Sequence, residues 1–271
     1  MKFITITKKG LLCIFSCFMI GALSLTVLTS TLTKAVSTAG EERKIPIYYV
    51  EKDEKVCSIS FDAAWGNEQT ETLLNILDEH EVKTTFFLVG DWVDKYPESV
   101  KEIAKRGHDV GNHSDTHAHM TQISKTDQIS EIEECNKKIE AITKRDTTLF
   151  RPPYGEYDNS VVEACDSTDM YCVQWDIDSL DWKDPTPQDM VSRIENNLKN
   201  GSIILLHNGA KNTPEALPLI IEAIKAKGYK IVPISQMIMT NNYTINHEGR
   251  QIANTTTAVS TTENTITTSK E

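Results

Sequence analysis

No acidic residue occurs before Glu41, no two cysteines stand in a C-x-x-C spacing, and no glycine-rich or heptad period runs through the 271 residues. The missing period excludes a fibrous chain, while 39% hydrophobic and 7% aromatic content excludes a wholly disordered one. A cluster of Lys and Arg is lacking too. The acid-free stretch 1–40 holds Lys2, Lys8, Lys9 and Lys34, so the remainder carries 24 basic against 39 acidic side chains, a balance of −15. Counterion release on a phosphate backbone needs the opposite sign, and no nucleic-acid partner is expected. Among six cysteines, Cys13 and Cys17 lie in an apolar run. Cys57, Cys135, Cys165 and Cys172 are spaced too irregularly for a disulfide framework, and buried free thiols are expected.

Charge is also absent from Leu11 to Thr33, 23 residues between Lys9 and Lys34, and an α-helix needs about 20 to cross a bilayer core. Segment 1–40 is therefore expected to be a transmembrane helix with its lysine-flanked end in the cytoplasm and the rest of the chain outside. The alternative is a cleaved signal peptide, with Ser37-Thr38-Ala39 at the cut and a secreted product. The length of the run favours the anchor. Residues 241–271 are dominated by Thr and Asn with almost nothing large to bury, so a disordered tail is expected. One folded domain over about residues 45–240 remains.

Within that domain, short β-branched or aromatic runs alternate with helix-period segments, the pattern of β/α units around a mainly parallel sheet. Seven strands are predicted, over residues 56–62, 84–89, 108–111, 148–151, 171–175, 202–207 and 230–233. Helices are predicted over 68–80, 97–106, 126–143, 187–198 and 214–227. Spacing alone leaves an incomplete barrel and an open doubly wound sheet as alternatives.

Chemistry in such folds gathers at the C-terminal strand ends, where the loops converge. Those ends carry Asp62, then His113 to His117, then Arg151-Pro152-Pro153-Tyr154-Gly155, then Asp176, Asp178, Asp181 and Trp182, and finally Leu205-Leu206-His207. Each has a bland explanation taken singly: Asp62 as a helix cap, the two histidines as a solvated helical face, Arg151 as a surface charge, Trp182 as packing. Their placement at five strand ends together points to metal-assisted hydrolysis. Two neutral imidazoles suit Zn²⁺ or a similar divalent ion such as Co²⁺ or Mn²⁺. A free carboxylate, Asp62, would take a proton from water, and His207 would protonate a leaving group.

The ordered motifs SFDAAWG (60–66), HSDTH (113–117), RPPYG (151–155), DIDSLDW (176–182) and LLH (205–207) resemble the polysaccharide deacetylases, the NodB-homology domain of carbohydrate esterase family four. The likeness covers about residues 54–236 and is nearest to sporulation-associated members with an altered first motif. It implies a distorted barrel of about seven β/α units. It also implies a general base at Asp62, metal ligands at His113 and His117 and a general acid at His207. Arg151 would tune Asp62, Asp181 would orient His207, and the Tyr154 N–H would bind the oxyanion. Trp182 and Leu205 would receive the acetyl methyl. The implied partner is an N-acetylated glycan, peptidoglycan first, with chitin-like and xylan substrates as alternatives, and acetate is released. The family's first motif usually reads two adjacent Asp, the second a metal ligand, and here that position is Ala63. A glycan-binding or morphogenetic protein that keeps the fold after losing efficient catalysis is the rival expectation.

Overall fold

The computed structural model describes residues 42–254. The expected membrane segment lies outside them, and among the described residues no helix is long and apolar enough to cross a membrane. The chain enters through β1 (Tyr49–Val50) and β2 (Val56–Ala63), followed by α1 (Thr70–Glu79), β3 (Thr85–Leu88), α2 (Gly90–Lys95), α3 (Pro97–Lys105) and β4 (Asp109–Asn112). The middle third comprises α4 (Lys125–Thr143), β5 (Leu149–Phe150), α5 (Asn159–Ser167), β6 (Tyr171–Cys172) and β7 (Ile177–Asp178). The last comprises α6 (Pro187–Asn197), β8 (Ser202–His207), α7 (Thr213–Ala226), β9 (Lys230–Ile231), α8 (Ile234–Met237), β10 (Tyr243–Ile245) and β11 (Arg250–Ala253). The helix starts follow their caps. Ser124, Asp158 and Thr186 each accept a hydrogen bond from the backbone N–H three residues on, and Pro187 opens α6 where a missing N–H costs nothing.

One sheet runs in the order β10-β11-β1-β8-β2-β3-β4-β5-β6, with β7 beside β8 and β9 beside β2. Its inner run from β8 to β6 is parallel. Among the described residues a single isolated parallel bridge, Ile47 to Val173, links the β1 side to the β6 side, and the architecture is an α/β half-barrel. All seven expected strands are present, several shorter than predicted, and β1, β7, β10 and β11 are additional.

Of the tail expected over 241–271, residues 255–271 lie outside the described ones, and residues 243–253 instead form an ordered hairpin of β10 and β11, β11 lying parallel to β1. Gln251 explains why. Wholly buried, it exchanges hydrogen bonds with the Met239 backbone, accepting from its N–H and donating to its carbonyl, both at 2.8 Å. Polar side chains thus order a segment that apolar burial alone would not. The four described cysteines are free and buried, as expected.

Alternation along β2 sets the layers. Cys57, Ile59, Phe61 and Ala63 enter the cluster formed with α1, α3 and α7, whose Leu73, Leu77, Ile103 and Ile220 are wholly buried. Ser58, Ser60 and Asp62 take the other face. Both hydroxyls are satisfied, Ser58 donating to the Val232 carbonyl at 2.7 Å and Ser60 to the Ile204 carbonyl at 2.8 Å. At the seam, Gly201 has φ +77°, and a Cβ there would sit 1.7 Å from the Val50 carbonyl oxygen. Gly201→Ala is expected to lose about 2 kcal/mol or more from left-handed strain plus the clash, read as a lower thermal midpoint.

Candidate active site

Parallel register builds the site. Asp62 pairs directly with His207 across β2 and β8 and with Phe87 across β2 and β3, while Asn112 pairs with Phe150. The residues just past that last pair, His113 and Arg151, therefore emerge at the same level. Arg151 is wholly buried and donates from Nη1 to Asp62 Oδ1 at 2.7 Å and from Nη2 to the Gln174 carbonyl at 3.1 Å. Its guanidinium lies 4.1 Å from the Phe87 ring centroid and 5.5 Å from that of Trp175. Burial alone would raise the Asp62 pKa, but the charge and hydrogen bond of Arg151, aided by His207, outweigh it and hold the carboxyl below its ordinary range.

His207 is held in the same manner. Asp181, wholly buried, accepts from His207 Nδ1 at 2.6 Å through one oxygen, and from the His207 N–H at 2.6 Å and the Thr213 hydroxyl at 2.8 Å through the other. Burial would lower the His207 pKa, yet the hydrogen bond and charge of Asp181, with Asp62 and Asp178 behind them, raise it. With Nδ1 tied to Asp181, the other ring nitrogen, Nε2, is left for proton transfer.

The two remaining histidines do not share a helical turn. Residues 113–117 form a loop with positive φ at Ser114 (+67°) and His117 (+60°), and this loop brings the two ring centroids to 5.0 Å. His113 donates its Nδ1–H to the Arg151 carbonyl at 2.7 Å, leaving Nε2 unprotonated 3.5 Å from Asp62 Oδ2. Burial keeps both imidazoles neutral, lowering His113 and taking His117 to about 4. They are thus ready as donors. A third is missing: Ala63 has no ligating atom, Asp115 is paired with Lys138 at 2.6 Å, and His119 is paired with Glu156 at 3.0 Å. Among the described residues no group of three His, Cys, Asp or Glu converges to hold a metal ion. The residues present supply two of the three donors that the motif resemblance implies and do not complete the centre, because Ala63 stands where the first motif would give the third.

Asp62, His113, His117 and His207 open on a cavity of about 380 Å³. Trp182 and Leu205 line it as well, with Tyr154 at the rim, whereas Arg151 and Asp181 stand behind it as supports. Tyr154 has φ +60° and ψ 4° in the turn after β5, whose internal bonds use the N–H groups of Gly155 and Glu156. Ser114, His117, Tyr154 and Leu180 all adopt left-handed backbone, at roughly 1–3 kcal/mol each, a concentration of strain in the loops of one site. Three residues without an assigned role join them: Trp65, Trp175 and Asp178 also line the cavity. The W-G pair in the first motif was the available signal for Trp65, but nothing in it gives the direction of the indole. Asp176 has no place in the site. Its carboxylate receives the Ile203 N–H at 2.7 Å and the Ser202 hydroxyl at 3.0 Å, fixing the start of β8.

Comparison with known proteins agrees with this geometry. The family model described as Polysaccharide deacetylase matches residues 49–173. YlxY of Bacillus subtilis is 36% identical over 71% of the chain, which spans 60% of YlxY's length. A peptidoglycan-N-acetylglucosamine deacetylase of Bacillus cereus is 31% identical over 70% of this chain and 91% of its own. Among solved structures, BA3943 of Bacillus anthracis, described as a pseudoenzyme of carbohydrate esterase family four, matches with a TM-score of 0.70 at 35% identity, over 72% of this chain and 69% of that one. A mutant of BA3943 is described as having restored enzymatic activity. The chain belongs to the polysaccharide deacetylase family.

Proposed function

We propose that the protein removes the N-acetyl group from amino sugars of a cell-wall glycan, with peptidoglycan as the substrate. One observation carries this reading: an ionised carboxylate and a protonatable imidazole, each held by its own buried partner, stand opposite each other on adjacent strands at the mouth of one cavity. Asp62 accepts the proton of the attacking water. His207, oriented by Asp181, donates a proton from Nε2 to the departing amine, and the Tyr154 amide is the proposed donor to the oxyanion. Leu205 and Trp182 offer an apolar seat for the acetyl methyl. Family members in general depend on a divalent metal, and Zn²⁺ is the ion that two neutral imidazoles suit best. We also propose an extracytoplasmic site of action, supported by the uncharged run from Leu11 to Thr33.

Acetate release from N-acetylated glycan by the purified protein tests this. Asp62→Asn and His207→Ala are each expected to lower it by about 10²–10⁴-fold; equal rates in all three proteins refute the mechanism. The pH profile follows from the two shifts. The acid must be protonated, so activity persists above 6.5, the ordinary histidine value, and falls as pH passes the raised His207 pKa. The base must be ionised, so the acid limb lies below 3.8, the ordinary Asp value. A second reading, a glycan-binding protein of weak turnover, is favoured by Ala63. Tight glycan binding with no acetate released, at any divalent metal concentration, would select it.

A further inference from the structure

Four large hydrophobic side chains are exposed among the described residues, and three of them, Trp65 (47%), Tyr154 (55%) and Trp182 (53%), border the one cavity that holds Asp62 and His207. Exposed apolar surface gathered in one place marks a binding face. Trp65 stands apart from the other two because its position is built from a distant segment. Its ring lies on that of His207, centroids 5.5 Å apart and planes at 27°. A Cβ on Gly209 would sit 2.6 Å from the indole Nε1 and 2.7 Å from Cδ1, so only glycine at 209 lets the ring lie there. The loop bearing it is pinned through Gly66, whose carbonyl accepts from Trp92 Nε1 at 2.6 Å and from Asn208 Nδ2 at 3.4 Å. Asn208 in turn donates its N–H to the Asp62 carbonyl at 2.9 Å and accepts the Thr70 hydroxyl at 3.1 Å.

We propose that Trp65 is a sugar-stacking platform that seats a pyranose ring of the glycan beside His207. A pyranose has an apolar C–H face and a hydroxylated rim. The cavity matches that division, with aromatic faces at Trp65 and Trp182 and carboxylates at Asp62 and Asp178 for hydroxyl groups. Because the indole is held against the proposed acid, stacking also sets the distance from the sugar to the proton donor. The proposal rests on the deacetylase reading for its substrate class, but it concerns binding of the ring and not removal of the acetyl group.

The full-length protein, its Trp65→Ala, Trp65→Phe and Gly209→Ala variants, and two probes separate the two. The probes are the N-acetylglucosamine tetramer, followed by acetate release, and the glucosamine tetramer, which has no acetyl group to lose, followed by calorimetric binding. Trp65→Ala is expected to weaken glucosamine-tetramer binding and raise KM for the acetylated tetramer by roughly tenfold, with kcat changed less than KM. Trp65→Phe should retain most of the affinity, and Gly209→Ala should reproduce the loss while the indole is still present. Circular dichroism of Trp65→Ala should match the wild type, since the side chain is half exposed. If both tetramers bind in a Trp65-dependent manner without acetate release, the platform stands and the deacetylase reading falls. If acetate is released but KM and binding in Trp65→Ala stay within about twofold of wild type, the platform is refuted. Failure of the wild type to bind either tetramer refutes it as well.

Discussion

Ala63→Asp is expected to raise acetate release by roughly tenfold or more and to bring bound divalent metal from well below one equivalent to near one. The backbone at 63 lies near the imidazoles while its Cβ packs in the apolar cluster, so an aspartate there must turn its carboxylate around the strand end to serve as the third donor. Ala63 pairs with Leu88, whose carbonyl receives the His113 N–H at 2.9 Å, so residue 63 sits one strand from the neutral imidazoles and at their level. Ala63 is wholly buried, so a carboxylate there would be desolvated and, without a cation, destabilising. The variant should therefore melt below the wild type in chelator and regain stability on metal addition, a dependence expected to be weak in the wild type. Elemental analysis and thermal unfolding with and without metal read this independently of activity. A variant that neither binds more metal nor becomes metal-dependent in stability would show that more than one ligand is missing.

Arg151→Met is expected to cost about 3–5 kcal/mol, a fall of roughly 10 °C in thermal midpoint, and to abolish acetate release. Removing the guanidinium leaves Asp62, only 4% exposed, without its ion pair, and burial then raises the carboxyl pKa and favours the protonated form. A protonated Asp62 is no base. Part of the loss is the naked charge and not the missing contact, so Arg151→Met combined with Asp62→Asn should be less destabilised than the two single variants summed. Additive losses would mean that the pair contributes no coupling.

Much of this arrangement was legible in the sequence because its signals are local. The apolar runs of β2 and β8 announced two central strands, and Asp62 and His207 at their ends announced chemistry. The elements left unread lack such signals. Strand β7 is two residues long, β10 and β11 carry mixed residues whose order comes from Gln251, and α5 buries only Val161, Val162, Ala164 and Cys165 behind its Asp158 cap. The 113–117 spacing looked helical because i and i+4 share a helix face. Positive φ at Ser114 and His117 achieves the same convergence in a loop, and φ has no simple residue code outside glycine. The direction of Trp65 was unreadable for another reason, since it depends on the absence of a side chain at Gly209 in a different segment.

The pairing of Asp62 with His207 ties the site to the correctness of the sheet itself. Side chains alternate faces along a strand, so sliding β8 by one residue against β2 would present Leu206 to Asp62 and turn His207 toward the helix layer. Asp181 would then lose both its imidazole and its backbone partner, and its buried charge would keep only the Thr213 hydroxyl. A slipped sheet is therefore penalised by electrostatics as well as by packing, and the groups proposed to do chemistry double as proofreaders of strand alignment during folding.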